Sequence, residues 1–246
     1  MLFDDRRGKI LGGCSSLNYM LYVRGNKKDY DIWDQHLGKT GLWSWEKVFP
    51  YFVRSEDNRD PEVIGNQYHG VGGPLTVSTT HYTTPIAGAF LEAAKLFGYP
   101  NLDFNGAQQT GFAIPQGTIR RGARCSTSKA FIRDLNGERK NLDVVINAQV
   151  TRVLLDANNR AIGVQFDKNK LSHNVYANRE VVLSAGSINS PMLMMLSGIG
   201  PCDHLAEVGI PCRVNLPSVG QNLQDHIGTG GIQVSFHQPN FLISSL

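Results

Sequence analysis

The sequence has little excess charge of either sign, and it has no long apolar run. Its 246 residues carry 24 basic and 21 acidic side chains, which gives a formal net charge of +3. So small an excess argues against a nucleic acid as the main partner, because phosphate backbones are bound by concentrated positive charge. No apolar stretch approaches the roughly 20 residues that cross a bilayer, so we predict no membrane span.

The start of the chain lacks the apolar region of a signal peptide. Two acidic and two basic residues, Asp4 to Arg7, stand where that region belongs. We therefore expect no export signal in this segment. The compartment is left open, with secretion of a longer parent protein kept as an option.

Cysteine is scarce as well. The four cysteines are Cys14, Cys125, Cys202 and Cys212. They are too few and too scattered for a disulfide framework. Cys202 and Cys212 are able to pair, but we expect free, buried thiols. With His204 between them, these two cysteines match no zinc spacing, so no metal site is predicted.

The sequence also lacks the glycine motif that opens a Rossmann dinucleotide site. Such a site needs G-x-G-x-x-G directly after a strand, with an acidic residue about 20 residues later. Gly70, Gly72 and Gly73 precede a proline rather than a helix, and Gly198-Ile199-Gly200 follows a predicted helix. An NAD-dependent Rossmann enzyme is therefore disfavoured.

Helical periodicity dominates the first half of the chain. Each predicted helix has a polar capping residue at its start. The helices are expected to begin after Asn26, Ser44, Thr84, and Ser126 or Thr127. Pro50 lies inside the second pattern, so we expect a kink or a new helix start there. A short strand is predicted at 74–78, and the fourth helix is predicted to run through Leu135.

From Leu142 the periodicity becomes that of extended chain. Strands are predicted at 144–146, 150–155, 162–166 and 175–177, with a hairpin turn at Asn158-Asn159. Residues 180–186 form a continuously apolar pattern, which a strand covered on both faces requires. A helix at 192–196, capped by Ser190-Pro191, is predicted to follow. This order is typical of one βα unit of a nucleotide-binding sheet.

Two glycine-rich motifs carry the candidate chemistry. The first contains Gly12-Gly13-Cys14-Ser15, where paired glycines let the backbone approach a flat ring or a phosphate. Ser15 and Ser16 are predicted to cap a following helix, whose positive end favours anionic groups. The second motif is Ala185 to Pro191, at the end of the apolar strand. Each motif alone is also typical of a packed turn without a ligand.

Taken together, the motifs resemble the two motif regions of the glucose–methanol–choline (GMC) flavoprotein oxidoreductases. The resemblance extends from Gly8 nearly to Ile227, and it is closest to the FAD-dependent glucose dehydrogenase-like branch of insects and other arthropods. It includes three further segments at 22–26, 122–127 and 219–226. The resemblance implies oxidation of the CH–OH group of an alcohol or sugar, with hydride transfer to flavin N5.

The resemblance also implies a set of cofactor contacts. The residues implied to lie against the flavin and the pyrophosphate are Gly12, Gly13, Cys14 and Ser15. Those implied to line the isoalloxazine ring are Asn18, Tyr19 and Leu21, with Tyr19 on the substrate side. The adenine is expected to meet the backbone of Val150, and the ADP moiety is expected to meet Ala185 and Gly186. Some members attach FAD through a histidine at the position of Leu17, so FAD is expected to be non-covalent here.

The implied fold is α/β with α+β elements, made of a partial FAD-binding, Rossmann-like domain of the GMC type and the beginning of a substrate domain. We therefore expect an incomplete fold. The FAD-binding region is predicted to cover 1–226. Within it, 1–60 and 140–226 would form the FAD domain, and 61–139 would be partly substrate-side or cap elements. Residues 227–246 would start the substrate domain.

Two parts of the implied machinery are not found in these residues. They are the dinucleotide glycine motif and the catalytic histidine of the family. Loss of a general base alone costs on the order of 10²–10⁴ in rate, so we expect no activity from the 246-residue chain alone, and we predict no catalytic residue within it. The electron acceptor, quinone-like or oxygen, stays open. The alternative is a short non-catalytic product that acts as a binding or interaction module.

One basic stretch has no assigned role. Arg120, Arg121, Arg124 and Lys129 lie near the start of the fourth helix. We expect them to form a solvated face rather than a phosphate site.

Overall fold

The computed structural model describes residues 7–80, 82–133 and 139–226 of the chain. These residues divide into two compact units, one up to Leu142 and the other from Asp143 onward. Within the described ranges, no helix is long and apolar enough to cross a membrane.

The first unit combines helices with two short strand pairs. Its helices are a 3-10 helix at Gly13–Ser16, α1 Lys27–His36, α2 Trp45–Ser55, α3 Pro85–Leu96 and α4 Thr127–Phe131. Its strands are β1 Glu56–Asn58, β2 Leu75–Val77, β3 Ile119–Arg120 and β4 Ala123–Arg124. Strands β1 and β2 pair in parallel, and β3 and β4 pair antiparallel. Val77, Cys125 and Ala130 are buried at its centre.

The helix starts of the first unit agree with the sequence analysis. The side chain of Asn26 accepts a hydrogen bond from the backbone N–H of Lys28 at 2.9 Å, as an N-cap residue does. Ser126 accepts one from Lys129 at 3.3 Å. Helix α4 ends at Phe131, earlier than predicted, and Leu135 lies outside the described residues.

Helix α2 runs unbroken through Pro50, so the expected new helix start is absent. An aromatic cluster holds this helix against α1. Tyr30 of α1 lies 5.5 Å from Trp45 and 5.7 Å from Phe52, measured between ring centroids. Each such pair contributes roughly 0.5–1.5 kcal/mol beyond its buried area, which offsets the one backbone hydrogen bond that a proline removes.

The second unit is built on an antiparallel meander. Its strands are β5 Gln149–Leu155, β6 Ala161–Lys168 and β7 Leu171–Tyr176, followed by α5 Gly186–Leu196, β8 Ile199–Gly200, α6 Cys202–Glu207 and β9 Val214–Asn215. The predicted hairpin between β5 and β6 forms, with a loop at 156–160 that holds Asn159 at φ 62°. Helix α5 packs on β5, and Val153 and Leu193 are buried.

Two strand predictions in the second unit are wrong. Residues 144–146 and 180–186 are both apolar, but neither segment forms a strand within the described residues. A strand requires backbone partners, and an apolar composition does not supply them. The side chain of Val182 is accordingly 74% exposed.

Helix α5 begins at Gly186 rather than at Met192. Pro191 therefore lies inside the helix and is not its first residue. Ser190 does not cap from in front of the helix. Its Oγ reaches back and accepts a hydrogen bond from the N–H of Ala185 at 3.0 Å.

Cys202 and Cys212 form a disulfide, so the expectation that all four cysteines are free is wrong. Their Cα atoms lie 5.3 Å apart, within the range that a disulfide spans. Parallel pairing of β8 with β9 brings the chain before β9 back to the start of α6, which places the two cysteines side by side. The free cysteines are Cys14, which is exposed, and Cys125, which is buried.

Candidate cofactor site

The turn at Gly12 and Gly13 is the centre of the candidate site in the first unit. Both glycines have positive φ, 96° and 54°. A Cβ at Gly12 would come within 2.8 Å of Ser16 Oγ and 3.1 Å of Ser128 Cβ, and a φ of 96° strains any residue with a side chain, so this position favours glycine. A Cβ at Gly13 would meet nothing within 4 Å. The backbone at Gly13 therefore borders open space that a flat ligand can approach.

Ser15 fixes this turn to the start of α4. Its Oγ donates to the carbonyl oxygen of Gly12 and accepts a hydrogen bond from the N–H of Thr127 at 3.0 Å. The hydroxyl of Thr127 donates to the same Gly12 carbonyl at 3.1 Å. The prediction that Ser15 and Ser16 cap a helix after them is wrong, because both lie in a 3-10 helix that ends at Ser16. Ser15 instead binds the N–H of Thr127, the first residue of α4, whose N-cap residue is Ser126.

Arg124 ties the same turn to the residues that follow it. Its Nη1 donates to the Ser15 carbonyl at 3.1 Å and to Asn18 Oδ1 at 2.9 Å. The expectation that Arg124 belongs to a solvated face is therefore wrong. The contact depends on the pairing of β3 with β4, and the net charge of the basic stretch carries no information about that pairing. The clue in the sequence is the motif at 122–127.

The segment after the turn presents alternate side chains to solvent. Tyr19 is 91% exposed and Leu21 is 60% exposed, whereas Tyr22 is half-buried. The backbone is held by two antiparallel hydrogen bonds, from Thr118 N–H to the Met20 carbonyl at 2.8 Å and from Tyr22 N–H to the Gln116 carbonyl at 2.9 Å. Asn18, Tyr19 and Leu21 therefore lie on an accessible face next to the glycine turn.

The remaining predicted contacts lie in the second unit. Val150 and Ala185 line one open cavity of about 490 Å³. Its wall is mainly apolar and comes from β6, β7, residues 180–185 and Leu193. Gly186 has φ 92°, and a Cβ there would meet nothing within 4 Å. Val150, Ala185 and Gly186 thus lie close together in the second unit. The seven residues predicted for the flavin side likewise lie close together in the first unit.

A buried cluster of charged residues lies behind the exposed segment, and the sequence analysis missed it. Arg24 Nη2 lies 2.6 Å from Glu56 Oε2, and both side chains are almost fully buried. His69 joins them through Nδ1, 3.0 Å from Glu56 Oε1. Its Nε2 lies 2.7 Å from Asp103 Oδ2. Two cations and two anions are paired in this cluster, as buried charges require.

The cluster changes the titration of its members. Burial by itself lowers the pKa of His69, but hydrogen bonds to Asp103 and Glu56 outweigh burial and raise the pKa to about 9. Burial by itself raises the pKa of Glu56, but hydrogen bonds from His69 and Gly70 and the charge of Arg24 lower it overall. With a carboxylate at each ring nitrogen, His69 donates from both and is protonated at neutral pH.

Comparison with known proteins identifies the relatives of this architecture. The model of the GMC oxidoreductase family matches residues 4–228. The chain belongs to the GMC oxidoreductase family.

In the described residues no group of His, Cys, Asp and Glu is arranged to hold a metal ion.

The curated relatives of this GMC chain include two dehydrogenases. It is 42% identical to glucose dehydrogenase [FAD, quinone] of Drosophila melanogaster over 90% of this chain and 35% of that protein. It is 46% identical to the mitochondrial choline dehydrogenase of Homo sapiens over 90% of this chain and 36% of that protein. The chain thus spans about a third of the length of these relatives.

Solved structures agree with the fold. A formate oxidase is 34% identical with a TM-score of 0.79, covering 90% of this chain and 39% of its own. Pyridoxine 4-oxidase from Mesorbium loti is 34% identical with a TM-score of 0.78, covering 86% of this chain and 41% of its own. The predicted mixed α/β class of a partial GMC FAD-binding region is confirmed.

Proposed function

We propose that this chain forms part of the flavin-binding region of an FAD-dependent oxidoreductase, and that the whole protein oxidises the CH–OH group of an alcohol or a sugar. Family membership supports the reaction class, and the activities named for the relatives support FAD and substrates such as glucose and choline. The observation that carries the proposal is the glycine turn. Gly13 borders open space while Ser15 and Arg124 hold the turn rigid.

Each unit offers one bare-backbone position that suits the proposed cofactor. A ring or phosphate can approach the bare backbone at Gly13 and Gly186, where a side chain would intrude. We assign the flavin side to Gly12, Gly13, Cys14, Ser15, Asn18, Tyr19 and Leu21, and the ADP side to Val150, Ala185 and Gly186. FAD held by these residues would supply the hydride acceptor for the substrate. Tyr19, exposed beside the turn, would contact the substrate.

We propose that the FAD is non-covalent. Leu17, at the position where some members carry the linking histidine, is a hydrocarbon side chain without a nucleophile. Precipitating the native flavoprotein with acid tests this point. We expect all of the yellow colour in the supernatant, and colour retained in the pellet would contradict it.

The central experiment uses the native protein, captured from its source with an antibody against residues 101–140. We expect a flavin absorption spectrum and turnover of a sugar or an alcohol with an artificial quinone-like acceptor. A parallel assay under air compares oxygen as the acceptor. A native protein with neither flavin nor turnover would contradict the proposal and favour a non-catalytic binding module.

The 246-residue chain expressed alone is proposed to be inactive, because no general base for the substrate hydroxyl has been assigned in it. Glucose, choline and a simple primary alcohol are assayed with the artificial acceptor. Turnover above that of a boiled sample would disprove this part of the proposal.

A labelling experiment locates the flavin independently of turnover. Cys14 is exposed and adjoins Gly13, whereas Cys125 is buried. A maleimide should therefore label Cys14 in the flavin-free protein and label it much less once FAD is added. Cys125 is the internal control and should stay unlabelled in both states. Equal labelling of Cys14 with and without FAD would place the flavin elsewhere.

A further inference from the structure

The backbone of the segment Tyr19–Arg24 is held along one edge, like an edge strand of a sheet. Residues 116–118 bond to Met20 and Tyr22 on that edge. A single side chain, Asn105, continues the row of hydrogen bonds at Tyr22 and Arg24. Its Oδ1 accepts a hydrogen bond from the N–H of Arg24 at 2.9 Å, and its Nδ2 donates to the carbonyl of Tyr22 at 3.0 Å. One amide thus replaces the backbone of a neighbouring strand.

Asn105 is in turn fixed by the buried charges. Its backbone N–H donates to Asp103 Oδ1 at 2.9 Å. The other oxygen of Asp103 lies 2.7 Å from His69 Nε2. Asn105 is only 4% exposed, so water does not compete for these hydrogen bonds.

The contacts form a closed ring. Arg24 reaches Asn105 through its backbone, and it reaches Glu56 through its guanidinium at 2.6 Å. His69 bonds to Glu56 through one ring nitrogen and to Asp103 through the other. Asp103 bonds to Asn105, which closes the ring. A ring of directional bonds constrains each member from two sides, so the backbone at Tyr22 and Arg24 has little freedom to shift.

The side chains that this backbone carries outward lack such support of their own. Tyr19 and Leu21 are largely exposed, so their positions follow from the backbone between Met20 and Tyr22. Their distance from a bound substrate therefore depends on bonds made behind them.

We propose that the ring of Arg24, Glu56, His69 and Asp103 acts through Asn105 as a positioning device for Tyr19 and Leu21, and so sets how well the substrate is held. The inference rests on the proposed function, since it takes Tyr19 and Leu21 as flavin- and substrate-facing. Arg24, Glu56 and His69 are buried, so the role proposed for the ring is to position and not to react. They are positioning residues.

The ring also makes the device sensitive to alkaline pH. His69 is faced by Glu56 from β1 and by Asp103 from the loop between α3 and β3, with Arg24 beyond Glu56 and Asp60 nearby. Its pKa is raised to about 9, so the proton is held below that pH and lost as the pH rises through it. Loss of the proton removes a donor from one carboxylate and leaves that carboxylate buried without its partner.

The test uses the full-length flavoprotein and compares Asp103→Asn with Asp57→Asn. Asp57 is a matched control, since it is a buried carboxylate of the same unit that bonds to Gly72 and Thr76 and not to the ring. Both variants should melt at a lower temperature. Only Asp103→Asn should lower kcat/KM, by about tenfold and mainly through KM, as a small displacement of a substrate-facing group does.

The pH profile separates positioning from general support of the fold. In the wild-type protein, KM should be constant between about pH 6 and 8 and rise as the pH passes 9, where His69 loses its proton. In Asp103→Asn the rise should move to lower pH, since one contact that raises the pKa of His69 is gone. Asp57→Asn should keep the wild-type profile.

Each outcome decides between the two proposals. A wild-type protein without flavin would overturn the proposed function. A flavin-containing Asp103→Asn variant with the KM and pH profile of Asp57→Asn would overturn the positioning role and leave the proposed function standing. If Asp103→Asn does not fold, the wild-type profile decides alone, and a KM that stays constant through pH 9 overturns the inference.

Discussion

The glycine turn of the first unit and the segment before α5 in the second unit are both assigned to the cofactor, yet they are held by different forces. The turn at Gly12 is fixed by three directional hydrogen bonds that involve Ser15 and Thr127. Residues 180–185 instead line an apolar cavity, and Val182 is 74% exposed. Hydrogen bonds fix geometry, whereas apolar contacts are non-directional. The stricter geometry thus lies where the proposed reacting ring would lie.

The largest expected effect comes from removing one charge from the buried cluster of the first unit. Glu56→Gln leaves Arg24 and His69 without their shared carboxylate, and both are buried. Breaking a buried pair in this way costs about 3–5 kcal/mol. We expect that loss in the free energy of unfolding, measured by urea denaturation of the full-length protein.

Glu92→Gln is the matched control for this change. Glu92 and Lys95 form an exposed pair on α3, with the nitrogen and oxygen 2.7 Å apart. Exposed pairs contribute at most about 1 kcal/mol, so Glu92→Gln should barely change the unfolding midpoint. Equal losses in the two variants would show that the cluster does not stabilise the first unit as its burial indicates.

The second unit is tested through its disulfide. The bond between Cys202 and Cys212 holds the chain next to Arg213, whose guanidinium donates to the carbonyls at the end of β5 at 3.2 and 2.7 Å. Opening a loop of this size costs about 3 kcal/mol, a little less than the charge deletion. We expect a reductant or Cys202→Ser to lower the unfolding midpoint, while Cys14→Ser leaves it unchanged.

Peptide mapping without a reductant provides the direct control. The peptides that contain Cys202 and Cys212 should be recovered as one linked species. Free alkylation of both cysteines in the native protein would contradict the disulfide.

Local patterns predicted much of the fold, and partner-dependent features were predicted poorly. The helix starts at Lys27 and Thr127 follow from capping residues that act within one turn. The strands β5 to β7 follow from alternation and a hairpin turn. The strand predicted at 180–186 did not form, because a strand depends on neighbours that its own residues do not specify. The Cys202–Cys212 bond likewise depends on the β8–β9 pairing.

The candidate site divides in the same way. The glycine positions were predicted, because positive φ and close approach leave a mark in the sequence. The ring through His69 and Asp103 was not predicted. Its members are separated by 13 and 34 residues, and each alone looks like an ordinary polar residue. The domain boundaries proposed at 60 and 140 stay predictions, and residues 227–246 lie outside the described residues.

The smallest expected effect is on FAD affinity, and it tests the two parts of the site separately. Gly13→Ala and Gly186→Ala each add a methyl group to a backbone that borders open space. Gly38→Ala is the control, since Gly38 also has positive φ, 84°, and an unobstructed Cβ position. All three variants carry backbone strain of roughly 1–2 kcal/mol. Only the two site variants should weaken FAD binding to flavin-free protein, by about tenfold, which is about 1.4 kcal/mol.

The two site variants should also differ from each other. Gly13 lies in the turn assigned to the isoalloxazine ring, so the added methyl group should shift the visible absorption of the bound flavin. Gly186 lies at the end assigned to ADP, so its methyl group should weaken binding and leave the absorption unchanged. Identical spectra in both variants would mean that the isoalloxazine ring does not lie against the turn at Gly13. Affinities equal to that of Gly38→Ala would mean that neither glycine borders the cofactor.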